Sequence, residues 1–308
     1  MISYYKSVNG RIRPIDAWEH GCWINCVEPN DDDVNLLINE FHVEPDFLKA
    51  SLDKEESSHL DCEDDTTLII IDSPIVEKNE NNLVYLTTPL SIMITKSNVI
   101  TLSLEDNPVL NEFAEGALRN IYTNLKTQFV LHIMLRIATK FLQYLNQIDR
   151  ITFQVEKELR KSMKNKELIQ LLEIEKSLVY FSSSLNSNNV TLEKIMRGKY
   201  LKLYEEDHDL LEDVLIEIKQ GLEMARIYLN ILSGTMDAFG SIISNNLNIV
   251  MKVLASITLI MSIPTVVSGI YGMNVGHLPF AESWTFPIIL SIVLMIVSGL
   301  ILKKKNLL

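Results

Sequence analysis

From Val253 to Leu302 the chain carries one formally charged residue, Glu282. That scarcity excludes a solvated surface over the stretch and names hydrocarbon as its solvent. Cysteine is nearly absent, with three in 308 residues, which excludes a disulfide-stapled secreted domain. Cys22 and Cys26 flank Trp23-Ile24-Asn25 without His or Cys partners at ligand spacing, so they read as structural thiols. No Gly-x-x-x-x-Gly-Lys-Ser/Thr loop occurs, which argues against a P-loop ATPase. No nucleophile–base set or diagnostic metal-ligand cluster appears. Neither an enzyme nor a resident cofactor is expected, and no nucleic-acid partner. Met1 to Pro14 lacks the apolar core of a secretory leader.

Two uncharged runs remain, Val253 to Gly276 and Ser283 to Leu302. About 20 apolar residues cross the ~30 Å hydrocarbon core, so the pair reads as a two-span transmembrane hairpin. Lys252 precedes the first span, Lys303, Lys304 and Lys305 follow the second, and the loop between has no Lys or Arg. Positive residues stay on the cytoplasmic side. Both termini are expected in the cytoplasm, with the loop outside a plasma (inner) membrane. The chain as a whole carries a net charge of −12. Lys303 to Lys305 would rest among anionic headgroups of the membrane lipids.

The expected fold class is α+β. Residues 1–117 alternate short β-branched runs with breaks: Gly21–Val27, Thr67–Val76, Leu83–Pro89, Leu90–Thr95 and Val99–Leu104 read as strands. Lys96-Ser97-Asn98 reads as a hairpin turn, and Asp31–Phe41 and Glu44–Leu52 as helices. Residues 118–204 read as helical: Phe129–Lys164, Lys166–Ser184, a turn at Asn186–Asn189, then Val190–Leu203. Next comes a 4,3-spaced apolar seam, Leu211, Leu215, Ile218, Leu222, Ala225, Leu229, Leu232, Met236, Phe239 and Ile243. This is a coiled-coil pattern, and it continues through Leu247, Val250, Leu254 and Ile257. One stalk helix over 205–272, roughly 100 Å long, is therefore expected to run into the first span. A loop over 273–283 and a second span with a basic tail over 284–308 complete the chain.

The other side of that helix carries a second pattern. Asn248, Met251, Ala255, Thr258, Ser262, Thr265 and Gly269 alternate spacings of 3 and 4, a stripe of small and hydroxylated residues. Small residues let transmembrane helices approach closely; hydroxyls facing water line a pore. Periodicity leaves both readings open. Asn274, just beyond the helix, favours the pore by offering an amide oxygen at its mouth.

Gly272-Met273-Asn274 between two spans resembles the signature of the CorA family of divalent-cation channels. Asn248-Ile-Val-Met251-Lys252-Val-Leu254 is similar to the family's run at the start of its first span, and Trp23-Ile24-Asn25 to its early strand. The resemblance implies a homopentamer with a funnel-shaped cytosolic part, a stalk continuous with a pore helix, and an outer ring of second spans. It implies a passive Mg²⁺ channel that also takes Co²⁺ or Ni²⁺, with Gly272, Met273 and Asn274 as selectivity filter. Mg²⁺ gives up its waters reluctantly, so an Asn ring would grip the hydration shell. Met251 and Leu254 would form an apolar constriction that closes by dewetting. The family's regulatory acids lie in a Leu-Glu-Asp-Ile-Leu run that faces a stalk Asp. Here Asp213 matches the stalk residue, but the run aligns as Leu48-Lys49-Ala50-Ser51-Leu52. Asp53, Glu55 and Glu56 follow as substitutes in a weak, shifted or absent Mg²⁺ sensor. In the loop, Glu282 is a candidate cation attractor and His277 a soft-metal contact. Two alternatives remain: a Zn²⁺ transporter resembling the ZntB branch, and a two-span signalling or scaffold protein.

Overall fold

The computed structural model describes the chain except for Asp64, Glu80, Asn81, Met163, Lys164, Lys199, residues 275–277, Ala281, Glu282, Asn306 and Leu308, together with the side chains of Asn79, Asn82 and Ser162. The chain forms two compact units, Met1–Gly234 and Thr235–Leu308.

The first unit is built on a seven-stranded sheet. Its strands are β1 (Ile2–Val8), β2 (Arg11–Ile15), β3 (Trp23–Val27), β4 (His59–Glu63), β5 (Thr66–Asn79), β6 (Asn82–Ile94) and β7 (Val99–Ser103). The order is β2-β1-β3-β7-β6-β5-β4, antiparallel throughout except for the β3/β7 pair. Alternation sends successive side chains of β3 to opposite faces. Ile24 and Cys26 join the core built with Leu37, Phe47 and Leu48 of α1 (Asp31–Asn39) and α2 (Pro45–Ser51). Trp23 packs instead against Tyr5, tilted, and against Phe129, edge to face, with centroids at 4.9 and 5.6 Å. Its indole N–H donates to Thr101 Oγ1 at 2.8 Å, and that hydroxyl donates to Asn25 Oδ1 at 2.9 Å. The thiols are indeed part of the packing: burial pushes Cys26 up to about 11, far from a reactive thiolate.

Three strands, β1, β2 and β4, and the short helix α3 (Pro108–Ala114) lay outside the sequence reading. The two runs split at Pro89 are one strand. Leu90, paired with Ser103, is the last residue of β6 held by β7, so Pro89 lies beyond that ladder and costs it no hydrogen bond. Lys96-Ser97-Asn98 does close the hairpin, with Thr95 N–H donating to Asn98 O at 3.0 Å. The acidic run at Asp31–Asp33 is the capped first turn of α1, where Asn30 and Asp33 form a reciprocal capping box.

Helices α4 (Lys126–Ser162) and α5 (Asn165–Met196) pack on the sheet. The expected turn at Asn186–Asn189 is corrected to helix interior. The fully buried Asn188 explains it. Its amide accepts from the Asp72 backbone N–H at 2.9 Å and donates to the Asp72 carbonyl at 2.8 Å, across the sheet–helix interface. Helix α6 spans Glu205–Tyr271, as the seam indicated, and α7 spans Thr285–Lys304. Within the first unit the seam residues Leu211, Leu215, Ile218, Leu222, Ala225 and Leu232 are buried. A Cβ on Gly221 would stand 3.4 Å from Leu185 of α5, and Ser233 donates to Glu175 at 2.7 Å. Residues 1–117 and 118–204 thus belong to one compact unit together with the start of α6.

Asn188→Leu should cost the full chain about 2–4 kcal/mol, because two buried backbone groups of Asp72 lose their partners; thermal unfolding in detergent measures it. The Asp72 carboxyl has its pKa raised by burial, offset in part by the Ser184 hydroxyl. A raised acid stabilises the fold most at low pH, and its share falls as pH rises through the folded-state value. Asp72→Asn should therefore match or exceed the wild-type Tm at pH 7.5, and that advantage should shrink as pH is lowered toward about 4.

Candidate functional site

In the second unit α6 has one covered face and one open face. Ser256 and Val267 are buried; Val253, Ile260, Ile263, Pro264 and Tyr271 are half-buried. These residues repeat at three and four along the helix, and α7 packs on them. A Cβ on Gly299 would lie 3.9 Å from Ile260, the Tyr271 and Phe286 rings are 6.0 Å apart, and the Ser256 hydroxyl donates to Leu307 O at 2.8 Å. Ser256 and Ile260 thus meet the end of α7 and the chain just beyond it, while Tyr271 at the end of α6 meets the start of α7, which defines an antiparallel hairpin. Small residues at the interface permit the close approach.

At 100° per residue, the stripe Asn248, Met251, Ala255, Thr258, Ser262, Thr265 and Gly269 centres on the side opposite α7. All seven residues are exposed in the single chain, and Leu254 beside them is 56% exposed. The hydroxyls are not idle. Thr258 donates to Leu254 O at 2.9 Å and Ser262 to Leu259 O at 2.8 Å, back onto their own helix. Each hydroxyl hydrogen is consumed, so each oxygen presents lone pairs outward. At Thr258 and Ser262 the stripe therefore offers acceptors. Pro264 has no N–H for the Ile260 carbonyl, so the helix ladder lacks one bond on the side that α7 covers.

The helix ends with Gly272 N–H donating to Ser268 O at 2.9 Å. A Cβ at Gly272 would lie 3.0 Å from that same carbonyl oxygen, a contact tighter than usual that a side chain could make only if the turn gave by a few tenths of an ångström. Met273 and Asn274 follow, both exposed. Aromatic residues gather at this end: Phe280 stacks on Phe286 with centroids at 4.7 Å, and Trp284 is 79% exposed, as at a membrane interface. His277 and Glu282 lie outside the described residues.

A model of the CorA-like Mg²⁺ transporter proteins matches residues 18–303. The chain belongs to this family. The cobalt/magnesium transport protein CorA of Methanocaldococcus jannaschii is 26% identical over 288 residues, 89% of this chain and 87% of that one. Its namesake from Thermotoga maritima is 23% identical over 92% of this chain and 82% of its own length. The complete structure of the M. jannaschii CorA magnesium transporter superposes with a TM-score of 0.80 at 25% identity, covering 98% of this chain and 95% of that one. With the family established, the two apolar helices α6 and α7 are membrane spans, and the chain is a membrane protein.

The stalk residue Asp213 and the acids that follow the Leu48–Leu52 run have these positions within the first unit. Asp213 is exposed on α6; Asp53 and Glu55 are exposed between α2 and β4, and Glu56 is half-buried with its carboxylate 3.5 Å from His59. Lys54, between them, pairs with Glu105 at 2.7 Å. Among the described residues no three metal-ligating side chains of one chain converge on a common point.

Gly272→Ala should disturb the end of α6, since the new methyl would press on the Ser268 backbone oxygen. Reconstituted protein should lose at least tenfold in divalent flux while its Tm changes by less than about 5 °C. Wild-type flux would remove the steric argument.

Proposed function

We propose that this chain assembles as a homo-oligomer, five copies by family resemblance, and conducts Mg²⁺ passively across the plasma (inner) membrane. The observation that carries the reading is the exposed stripe of small and hydroxylated residues on α6, opposite the face that α7 covers, in which Thr258 and Ser262 keep their oxygens free to accept. Hydrocarbon offers such oxygens nothing, so they need water, protein or a hydrated ion. Several copies of α6 around an axis would supply the water-filled bore. The M. jannaschii and T. maritima relatives are by name cobalt/magnesium transport proteins, which agrees with a divalent cargo.

In this reading Gly272 ends the helix, Met273 shapes the mouth, and a ring of Asn274 amide oxygens accepts hydrogen bonds from the ion's polarised waters. Neutral amides hold the hydrated ion without the fixed charge that would trap it. Thr265, Ser262 and Thr258 pass it along, with the Gly269 carbonyl as a further acceptor. Met251 and Leu254 narrow the bore, and Asn248 marks the inner mouth. Lys252 and Lys303 to Lys305 set the inner side, so both termini face the cytoplasm. A potential of 100 mV, inside negative, then favours entry of a divalent ion by about 4.6 kcal/mol, so flux needs no ATP or catalytic residue. Glu282 and His277 stand in the outer loop as the first charged and soft-metal groups an ion meets. Mg²⁺ also serves as regulator where Asp213 of one copy approaches Asp53, Glu55 or Glu56 of another; without the family's own pair of acids this sensor is weak.

Asn274→Ala and Asn274→Asp should each cut Mg²⁺ influx into proteoliposomes by tenfold or more. Undiminished influx in both variants would reject the filter. Competition between Zn²⁺ and Mg²⁺ across a pH gradient separates a Zn²⁺ carrier from the Mg²⁺ channel, and absence of any divalent flux would leave a scaffold.

A further inference from the structure

Positive charge in the second unit is confined to one end of the hairpin. Between Thr235 and Leu308 the lysines are Lys252, Lys303, Lys304 and Lys305, and there is no arginine. The acids are Glu282, in the loop that joins α6 to α7, and Asp237, fifteen residues before Lys252. At 1.5 Å per residue Asp237 stands about 22 Å from Lys252 along α6. The hairpin brings the lysines of both helices together. Ser256, one turn beyond Lys252, donates to Leu307 O, two residues beyond Lys305, at 2.8 Å. All four lysines are exposed, and none pairs with an acid among the described residues. A helix dipole favours lysines in the last turn of α7, but it gives no reason for Lys252 inside α6.

The register of the two helices singles out a pair. On α7, Ser291, Met295, Ser298 and Leu302 are buried or half-buried and repeat at four, three and four, and the next member of that series is Lys305. Lys305 therefore ends the side of α7 that faces α6. On α6, at 100° per residue, Lys252 stands between the polar stripe and the face that α7 covers. Farther into the span the same side of α6 presents Leu259 and Val266, 54% and 59% exposed. Two cations at the junction of the helices thus stand at the head of an apolar track. Ammonium groups make charge-assisted hydrogen bonds to a phosphate, and basic pockets between membrane helices hold anionic headgroups. The track beside them suits an acyl chain, which a free phosphate does not have.

We propose that Lys252 and Lys305 hold the phosphate of one anionic phospholipid at the α6–α7 junction, with an acyl chain along Leu259 and Val266. Lys303 and Lys304 flank the pair and repel the ammonium of a zwitterionic headgroup, so the site selects a lipid whose only charge is its phosphate. This is one defined site in each chain, beyond a general attraction of the basic tail to headgroups. It rests on the two membrane spans alone and is independent of ion conduction. Each lysine brought to an anionic headgroup strengthens binding by roughly fivefold.

The test titrates the full chain in detergent with phosphatidylglycerol or phosphatidylcholine and counts bound lipid by native mass spectrometry. Phosphatidylglycerol should saturate at one molecule per chain and bind about tenfold tighter than phosphatidylcholine. Lys252→Gln and Lys305→Gln should each weaken it roughly fivefold, whereas Lys303→Gln/Lys304→Gln should weaken it less than either. Lys252→Arg and Lys305→Arg, which keep the charge, should retain it. Glycerol phosphate, a headgroup without chains, should not displace the bound lipid at equal concentration. Equal affinity for the two lipids would overturn the proposal, as would wild-type affinity in both glutamine single variants. Displacement by glycerol phosphate would assign the lysines to a free anion, and an equal or larger loss in the Lys303/Lys304 variant would leave only diffuse attraction; either result also overturns it. If the glutamine variants fail to assemble, the lipid preference and the glycerol phosphate competition of the wild-type chain decide alone. No ion flux enters the readout, so the result stands apart from that of the Asn274 variants.

Discussion

Hydrocarbon gives no partner to a hydroxyl or an amide, and that constraint organises the C-terminal hairpin. A helix satisfies its own backbone, but its polar side chains must find partners elsewhere. Thr258 and Ser262 settle their hydrogens on carbonyls one turn back. Ser256 and Ser291 are buried, and each donates to a carbonyl of the second unit, Leu307 O and Pro287 O. What remains unclaimed are the oxygen lone pairs of Thr258 and Ser262 on the side away from α7. The apolar remainder of both helices is free to meet lipid, so the hairpin has two unlike sides.

The soluble unit obeys a different constraint. Its sheet carries apolar side chains on both faces and needs helices on each. Helices α1 and α2 close one side over Ile24 and Cys26, while the aromatic group of Trp23, Phe113 and Phe129 closes the other. Asn188 ties α5 to β5 through backbone groups that would otherwise be buried without partners. Here polar side chains serve register and position rather than traffic.

Long-period features were the most legible in the sequence. The seam from Leu211 gave the length of α6 because 3.5-residue periodicity accumulates over many turns. The polar stripe was visible for the same reason. Short or irregular features were not. Strand β2 is mostly exposed and contains Pro14, and β1 is half-buried on both faces, so neither shows clean alternation. Asn186–Asn189 reads as a turn by composition, and only the tertiary bond of Asn188 to β5 overrides it. The crowding at Gly272 was equally hidden, since the oxygen that a side chain would press on belongs to a residue four positions earlier.

Pro264 sits midway along the apolar part of α6 and interrupts its hydrogen-bond ladder at one rung. A rod with a missing rung is most compliant at that rung. Residues 265–271 can therefore lean a few degrees at the rung where a bond is already missing, whereas an equal lean elsewhere would strain an intact one. Mechanical softness is thus concentrated at a single depth in the bilayer, one turn from the serine and threonine oxygens.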